Sequence, residues 1–388
     1  MMGFSIAAIV LLSILLVCLI FQMIYYWIYL YAPYKYSKCQ KEIIANSDLS
    51  PVSVIITGTN EAQNLQTLLP VLLEQNYTNY EVIFVDDDSI DDTDDVLKRF
   101  AAKYEHLYHT YIPSGSKNLS RKKLALTVGI KAAKYDKLLF IEPSACPLTA
   151  DWIKLMVSNF SNKKQIVLGL SILDKAPSSY IAFDYFWTNL QMIAFALKDN
   201  PFTANGRNMG YSKSYFEEKK GFAHSNFLDL GEDDLLINHI SNKTNVSVEL
   251  SGESMVSFSM KNVYDWEEFK VHRTITERFY TKRFPLRLGR IEKLSRVLFN
   301  VVFLALVVYL SVNSYWLFLG GAVLFFFLRL ASQLYIINKV SKLFNYKMFC
   351  FLLPIFDMVQ PFVDAYFYYY GKTKTQRNYN WKFEKRHK

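Results

Sequence analysis

The order of apolar and polar positions along the chain separates three kinds of stretch. Residues 4–31 form a near-continuous apolar run without a charge, long enough for the roughly 20 helical residues that cross a bilayer. The run lacks the basic leader and small cleavage-site residues of a signal peptide, so a retained anchor is expected. From Pro51 to about Arg273 short apolar runs alternate with amphipathic ones. The expected strands are 52–57, 81–86, 107–112, 137–141 and 165–172, with helices at 62–74, 93–104, 121–134 and 150–160 between them. Strand, helix, strand in this rhythm predicts an α/β domain: a mixed, mostly parallel sheet flanked by helices.

Beyond it the pattern turns to membrane. Residues 282–296 are basic and amphipathic, which predicts a segment lying on the membrane surface. Residues 297–312 and 315–330 read as two spans joined at Asn313-Ser314. Residues 348–370 are apolar but hold Asp357, Gln360, Pro361 and Asp364. The expectation there is that Gln360-Pro361 breaks the segment and leaves both acids near water. The domain boundaries that follow are an anchor at 1–34, the α/β domain at 35–281 and the interfacial segment at 282–296. A C-terminal membrane region at 297–371 and a basic tail at 372–388 complete the chain.

Composition sharpens this division. Of 388 residues 51% are hydrophobic and 16% aromatic, yet the mean hydropathy is only +0.07, as expected of a soluble-type domain joined to membrane segments. The net charge of +9 gathers beside the apolar runs, at Lys35, Lys38 and Lys41 and again at Lys339, Lys342 and Lys347. That placement reads as topological bias and attraction to anionic lipid, not as nucleic-acid binding. It predicts an external N-terminus with the domain and the tail both cytoplasmic. The cysteines Cys18, Cys39, Cys146 and Cys350 form no CxxC pair and read as reduced thiols. No GxGxxG opens any expected helix, which disfavours a dinucleotide-binding enzyme.

Two acidic clusters carry the candidate chemistry. Residues 80–93 read YEVIFVDDDSIDDT: an apolar strand that ends in Asp86, Asp87 and Asp88. Mutually repelling carboxylates at the carboxyl edge of a sheet stand where α/β folds bind ligands. Helix capping explains Asp91 and Asp92 better than it explains Asp86 and Asp87. Gly231-Glu232-Asp233-Asp234 is the second cluster, with an acid-rich helix start as its alternative reading.

The segments PVSVIITGTNEAQNL (51–65), YEVIFVDDDSIDDT, SRKKLALTVGIKAAKYDKLLFIEPSACP (120–147), NGRNMGYSKSYF (205–216) and GEDDLLI (231–237) together resemble the family-2 glycosyltransferases. These are enzymes of GT-A fold that use nucleotide-sugars, and the resemblance covers roughly 51–273. With the added anchors it extends to the membrane-bound branch typical of bacterial polysaccharide and glycolipid assembly. It implies a multi-pass protein of the bacterial inner membrane. It further implies inverting transfer from a nucleotide diphosphate sugar to a lipid-linked or saccharide acceptor near the cytoplasmic face.

The resemblance also assigns roles. Thr57, Thr59, Asn60 and Glu61 would cradle the nucleobase and ribose, with Thr57 and Thr59 standing where the family usually has Pro and Tyr. Asp86 and Asp87 belong to the same pocket, Asp87 pairing with the base. Lys122 would lie near the donor phosphates. Arg273, in KVHRT (270–274), stands where processive synthases carry QxxRW, with Lys270 and Thr274 replacing Gln and Trp. It reads as a phosphate contact or as a surface cation. The general base maps onto Asp233 beside Glu232, with Asp234 as the alternative. The family's Asp-x-Asp pair for a divalent ion, magnesium or manganese, becomes Glu142 and Ser144, leaving Glu142 as the expected metal ligand. Lys122 and Arg273 offer another way to screen the diphosphate. A catalytically impaired homologue and a processive synthase are the rival readings, and a transporter is a remote third.

Overall fold

The computed structural model describes residues 6–40, 50–112, 115, 120–349 and 352–385. Expectations that rested on Phe4, Ser5, Lys41, Cys350 and 386–388 lie outside them. The chain divides into two compact units, one of Met1–Tyr34 with Arg283–Lys388 and one of Lys35–Lys282.

The chain opens with α1 (Ile6–Tyr25), a π-helical turn at Tyr26–Leu30 and α2 (Ala32–Gln40). The α/β unit then runs β1 (Val52–Gly58), α3 (Ala62–Leu73), β2 (Tyr80–Asp86), α4 (Thr93–Ala101), β3 (Leu107–Tyr111), α5 (Arg121–Ala132) and β4 (Lys137–Phe140). After these come β5 (Ala145–Pro147), α6 (Trp152–Val157), β6 (Ile166–Leu168), β7 (Ser171–Lys175), α7 (Ser179–Ala196) and β8 (Met209–Ser212). The unit closes with α8 (Lys213–Glu218), α9 (Asp234–Ile240), β9 (Val246–Val248), β10 (Val256–Ser259) and α10 (Val263–Thr276).

The first four expected strands and the first three expected helices are present within a few residues of their expected ends. β1 and β2 are buried from Val52 to Ile56 and from Glu81 to Val85, as their mostly apolar runs require of strands covered on both faces. Buried Glu81 is satisfied by the Ser53 hydroxyl and the Lys134 N–H, each donating at 2.7 Å. The main sheet has the order β3-β2-β1-β4-β8-β6-β9. β1 pairs in parallel with both β2 and β4, whereas β8 is antiparallel to β4 and β6. The chain winds outward from β1 to β3 and then returns to β4 on the other side. That reversal is a topological switch point, the place where such sheets bind ligands.

Two features depart from expectation. The apolar run at 165–172 is not one strand but two in different sheets. β6 lies in the main sheet and β7 in a three-stranded sheet of order β5-β10-β7. Periodicity alone carries no mark of a change of partner. α7 was not anticipated at all. It is apolar nearly all round and its residues are largely buried, the pattern of a helix enclosed by its own domain.

The other unit contains α1 with three further helices, α11 (Phe284–Val312), α12 (Trp316–Leu343) and α13 (Leu353–Lys385). Among the described residues three helices, Ala8–Cys39, Phe284–Val312 and Trp316–Leu343, are long and apolar enough to cross a membrane. Leu15, Leu19, Phe299, Leu306 and Ala322 pack in their shared core. Ile9, Val17, Leu304, Val308, Leu317 and Phe327 face outward, an apolar exterior suited to lipid.

Two expectations fail here. The segment 282–296 is not a separate surface element, because its residues from Phe284 onward belong to the single 29-residue helix α11. Nor does Gln360-Pro361 break the last segment: Pro361 lies inside α13 and Asp357 is buried. The reason is shared. Arg296 donates to Asp357 at 3.0 Å and to Gln360, and pairs with Glu292 at 2.9 Å. Arg329 reaches the other Asp357 oxygen, and Gln333 bridges Asp357 to Tyr26 at 2.8 Å on each side. Charges that looked water-facing one helix at a time satisfy one another between helices. Asp364 pairs with Lys293 at 2.6 Å.

Candidate active site

The first cluster forms at the carboxyl ends of β1 and β2. The Thr59 hydroxyl donates to the Asp87 carbonyl at 3.1 Å, and the Asp87 N–H donates to the Gly58 carbonyl at 2.9 Å. Asn60 adopts a left-handed φ of 58°. Its N–H donates to the Ser89 hydroxyl at 2.8 Å, and its side-chain oxygen accepts from the Ile90 N–H at 2.9 Å. The Glu61 N–H donates to Thr93, and its carboxylate accepts from Asn64. Thr57, Thr59, Asn60 and Glu61 therefore form one strand-to-helix turn zipped to residues 87–93.

Within that turn the acids differ. Asp86 accepts from the Ser89 hydroxyl, and Asp91 accepts from the N–H groups of Ala62 and Thr93. Both close loops. Asp92 occupies the N-cap of α4 without a side-chain capping bond. Asp87 differs from them, since one of its oxygens accepts from Arg121 Nε at 2.7 Å. An acceptor-only carboxylate held by a guanidinium at a switch point is suited to reading a ligand donor.

The second cluster gathers around Lys122, the next residue of α5. Its ammonium contacts Glu232 at 2.6 Å and Glu142, just past β4, at 3.3 Å. Arg207 reaches the other Glu142 oxygen at 3.0 Å. The two clusters are neighbours: a side chain at Gly58 would meet both Glu61 and Pro143. The N-terminal turn of α5 serves both, Arg121 on one side and Lys122 on the other. Burial alone would raise the Glu142 carboxyl, but Arg207 and Lys122 outweigh it and bring it down to about 2. Glu232 is likewise held low against its burial, chiefly by Lys122.

Asp233 and Asp234 follow Gly231, whose φ of 88° and lack of a Cβ let the loop turn tightly over Leu235. The two acids separate in role. Asp234 is buried, and one of its oxygens accepts from the hydroxyls of Thr276 and Tyr280. Asp233 accepts from the N–H groups of Gly206 at 2.8 Å and Asp234 at 2.7 Å. Those bonds fix the carboxylate yet leave lone pairs uncommitted. Burial, then the charge of Glu232, raises it above the ordinary aspartate range, the direction a general base requires.

The loop beneath Asp233 is rigidly held. Asn205 donates to Ser171 and Tyr185, and Asn208 donates to the carbonyls of Leu170 and Ser254 while accepting from Trp152. Between them Arg207 lies over the Phe258 ring, 4.2 Å from its centroid. Sequence reasoning quoted the NGRN motif without singling out Arg207. The arginine was legible there, but its carboxylate partner lay 65 residues upstream.

Arg273 lies within electrostatic reach of Asp234 and Tyr280. It pairs with Glu277 at 3.1 Å, one turn further along. Lys270 is buried against Asp184 at 3.0 Å, which also accepts from Trp266. Of the residues standing for QxxRW, Lys270 thus ties α10 to α7, while Arg273 pairs along its own stretch of chain.

Glu142, the expected metal ligand, is a single carboxylate whose two oxygens each meet a cation, and Ser144 beside it is neutral and exposed. Among the described residues no three His, Cys, Asp or Glu side chains converge as a metal site. These residues offer a divalent ion one carboxylate whose two oxygens are already held by cations, so donor phosphates and water would have to supply the rest of its shell.

Comparison with known proteins places this arrangement. Residues 53–219 match the family described as glycosyl transferase family 2. Glycosyltransferase AglE of Haloferax volcanii is 29% identical over 150 residues, covering 38% of this chain and 48% of that protein. The match thus spans about half the length of that curated relative. Among solved structures, a mannosyltransferase from Pyrobaculum calidifontis in complex with GDP-Man and Mn2+ aligns with 86% of this chain and all of its own. Its TM-score is 0.50 and its sequence identity 18%, a likeness that speaks for the fold alone. Sheet order and these likenesses agree on the architecture: the α/β unit has the GT-A fold, and its residues 53–219 are similar to family-2 glycosyltransferases.

Proposed function

We propose that the α/β unit is an inverting glycosyltransferase. It takes a nucleotide diphosphate sugar and passes the sugar to a lipid-linked or membrane-proximal saccharide acceptor at the cytoplasmic membrane face. In the transfer the acceptor hydroxyl gives its proton to Asp233 as its oxygen attacks the anomeric carbon. The bond from that carbon to the phosphate oxygen breaks on the opposite face, and its electron pair leaves with the diphosphate. Thr57, Thr59, Asn60, Glu61 and Asp87 would hold the nucleoside, and Asp86 would keep their turn closed. Glu232 would steady Lys122 near the diphosphate. Arg273 has no direct part in this reading.

The observation that carries the proposal is the position of Asp233. It is a partly buried carboxylate of raised pKa, held on two backbone N–H groups, in the same acidic run as the Glu232 that binds Lys122. Membrane proximity of the acceptor rests on the three long apolar helices. The cytoplasmic side rests on the basic flanks. A divalent ion at Glu142 is the competing way of holding the diphosphate, and the Pyrobaculum neighbour is in complex with Mn2+. A processive synthase is disfavoured because Lys270 is committed to Asp184. The test is a screen of sugar donors with the detergent-solubilised chain, scored by nucleotide diphosphate release. Release from one donor class supports the reading, and none from a folded preparation refutes it.

A further inference from the structure

The chemistry at Glu142 goes beyond a weak metal site. Both of its oxygens are engaged by cations that approach from different parts of the fold, Lys122 from α5 and Arg207 from the loop before β8. Lys122 also holds Glu232, so two cations face two carboxylates. A divalent ion entering here would be repelled by both resident cations and would have to compete with them for Glu142 and Glu232. A diphosphate would meet the opposite situation. Its oxygens could replace the Glu142 oxygens one for one, trading carboxylate contacts for phosphate contacts of higher charge.

Access and preorganisation support that exchange. The Lys122 side chain is 46% exposed, against 25% for Glu142, 20% for Arg207 and 14% for Glu232. The cluster therefore opens to solvent at Lys122. Arg207 is held from behind by the face of Phe258, between Asn205 and Asn208, which are anchored on five partners. Its Nε is buried without a hydrogen-bond partner. A guanidinium held in a fixed plane matches phosphate geometry in a way a mobile lysine does not.

Resting on the glycosyltransferase reading above, we propose that Lys122 and Arg207 bind the donor diphosphate in place of a divalent ion. Glu142 is the positioning residue that holds the pair together until the donor arrives. The site then takes nucleoside diphosphates without metal, and the leaving group is stabilised by fixed side-chain charge.

The experiment is calorimetry on the full-length, detergent-solubilised chain with UDP and with GDP. Each is titrated after chelation with EDTA and again with added Mn2+. Wild type is compared with Arg207→Gln, Arg207→Lys and Glu142→Gln, each first shown to unfold cooperatively. Chelation should change wild-type affinity by less than about twofold. Arg207→Gln should weaken binding by about tenfold or more, the worth of one charge-assisted hydrogen bond. Arg207→Lys should fall between them. Glu142→Gln should bind at least as tightly as wild type, because both cations are freed. A tenfold or greater loss on chelation that Mn2+ restores, matched by an equal loss in Glu142→Gln, would overturn the proposal and leave the glycosyltransferase reading standing. Undiminished affinity in Arg207→Gln would also overturn it. If folded wild type binds neither nucleotide under either condition, the donor-site reading itself fails, and the proposal with it.

Discussion

Asp233 and Asp234 are adjacent in sequence and opposite in circumstance. Asp233 sits on two backbone N–H groups with lone pairs to spare, whereas Asp234 is enclosed by Thr276 and Tyr280. Asp233→Asn should therefore lower turnover by roughly two to four orders of magnitude with donor affinity nearly intact. Asp234→Asn should retain most of it. Steady-state kinetics on both variants checks the assignment, and the reverse pattern would move the base one residue along. Asp234 predicts a separate effect on stability. Burial, then the charge of Asp233, pushes its carboxyl up to about 7 from an ordinary 3.8, with the two hydroxyls opposing. An acid raised in the folded state binds its proton more firmly there than when unfolded. Its contribution is fully present below pH 3.8 and is lost as pH rises to about 7, flat beyond. The thermal midpoint of wild type should fall across that window relative to Asp234→Asn, and parallel curves would show that Asp234 does not titrate there.

At the scale of elements, what was legible in the sequence was whatever one element carries by itself. β1 and β2 announced themselves as mostly apolar runs, and the turns after them by acids that such runs do not otherwise end in. The Glu-Asp-Asp run was visible because it opens a helix next to a glycine. What was not legible depended on partners distant in the chain. Residues 165–172 change sheet because β8 and β10 compete for them, and neither is local. That Glu142 meets Arg207 was not legible because the arginine comes from another loop. In α11 and α13 each buried charge looked exposed until the facing helix supplied its counter-charge. That network also predicts a mutational effect. Asp357→Ala would remove the carboxylate that Arg296 and Arg329 share, leaving Arg296 with Glu292 and Gln360 and Arg329 with Gln22. The cost is about 3–5 kcal/mol for breaking a buried pair from one side. The unfolding midpoint in detergent should drop well below that of Asp364→Ala, whose Lys293 partner can reach water. Equal midpoints would mean that the Asp357 network contributes little.

For the molecule as a whole, the long apolar helices and the candidate site divide between the two units, and the basic flanks give the expected topology. Three crossings by the long apolar helices, with the N-terminus outside, would put the α/β unit and the C-terminal tail on the same cytoplasmic side. A cysteine introduced as Lys385→Cys in a background lacking the native cysteines should resist an impermeant thiol reagent in intact cells and react after lysis. Labelling in intact cells would mean a fourth crossing, with α13 spanning the membrane.

The central claim is a single-displacement sugar transfer at the carboxyl edge of the sheet, with Asp233 as base. Its most direct test is the anomeric configuration of the product, read by NMR from one turnover with the donor identified in the release screen. The account predicts a new glycosidic bond of inverted configuration, formed in step with nucleotide diphosphate release and almost abolished in Asp233→Asn. A product of retained configuration, or nucleotide released with no glycosidic product, would contradict it.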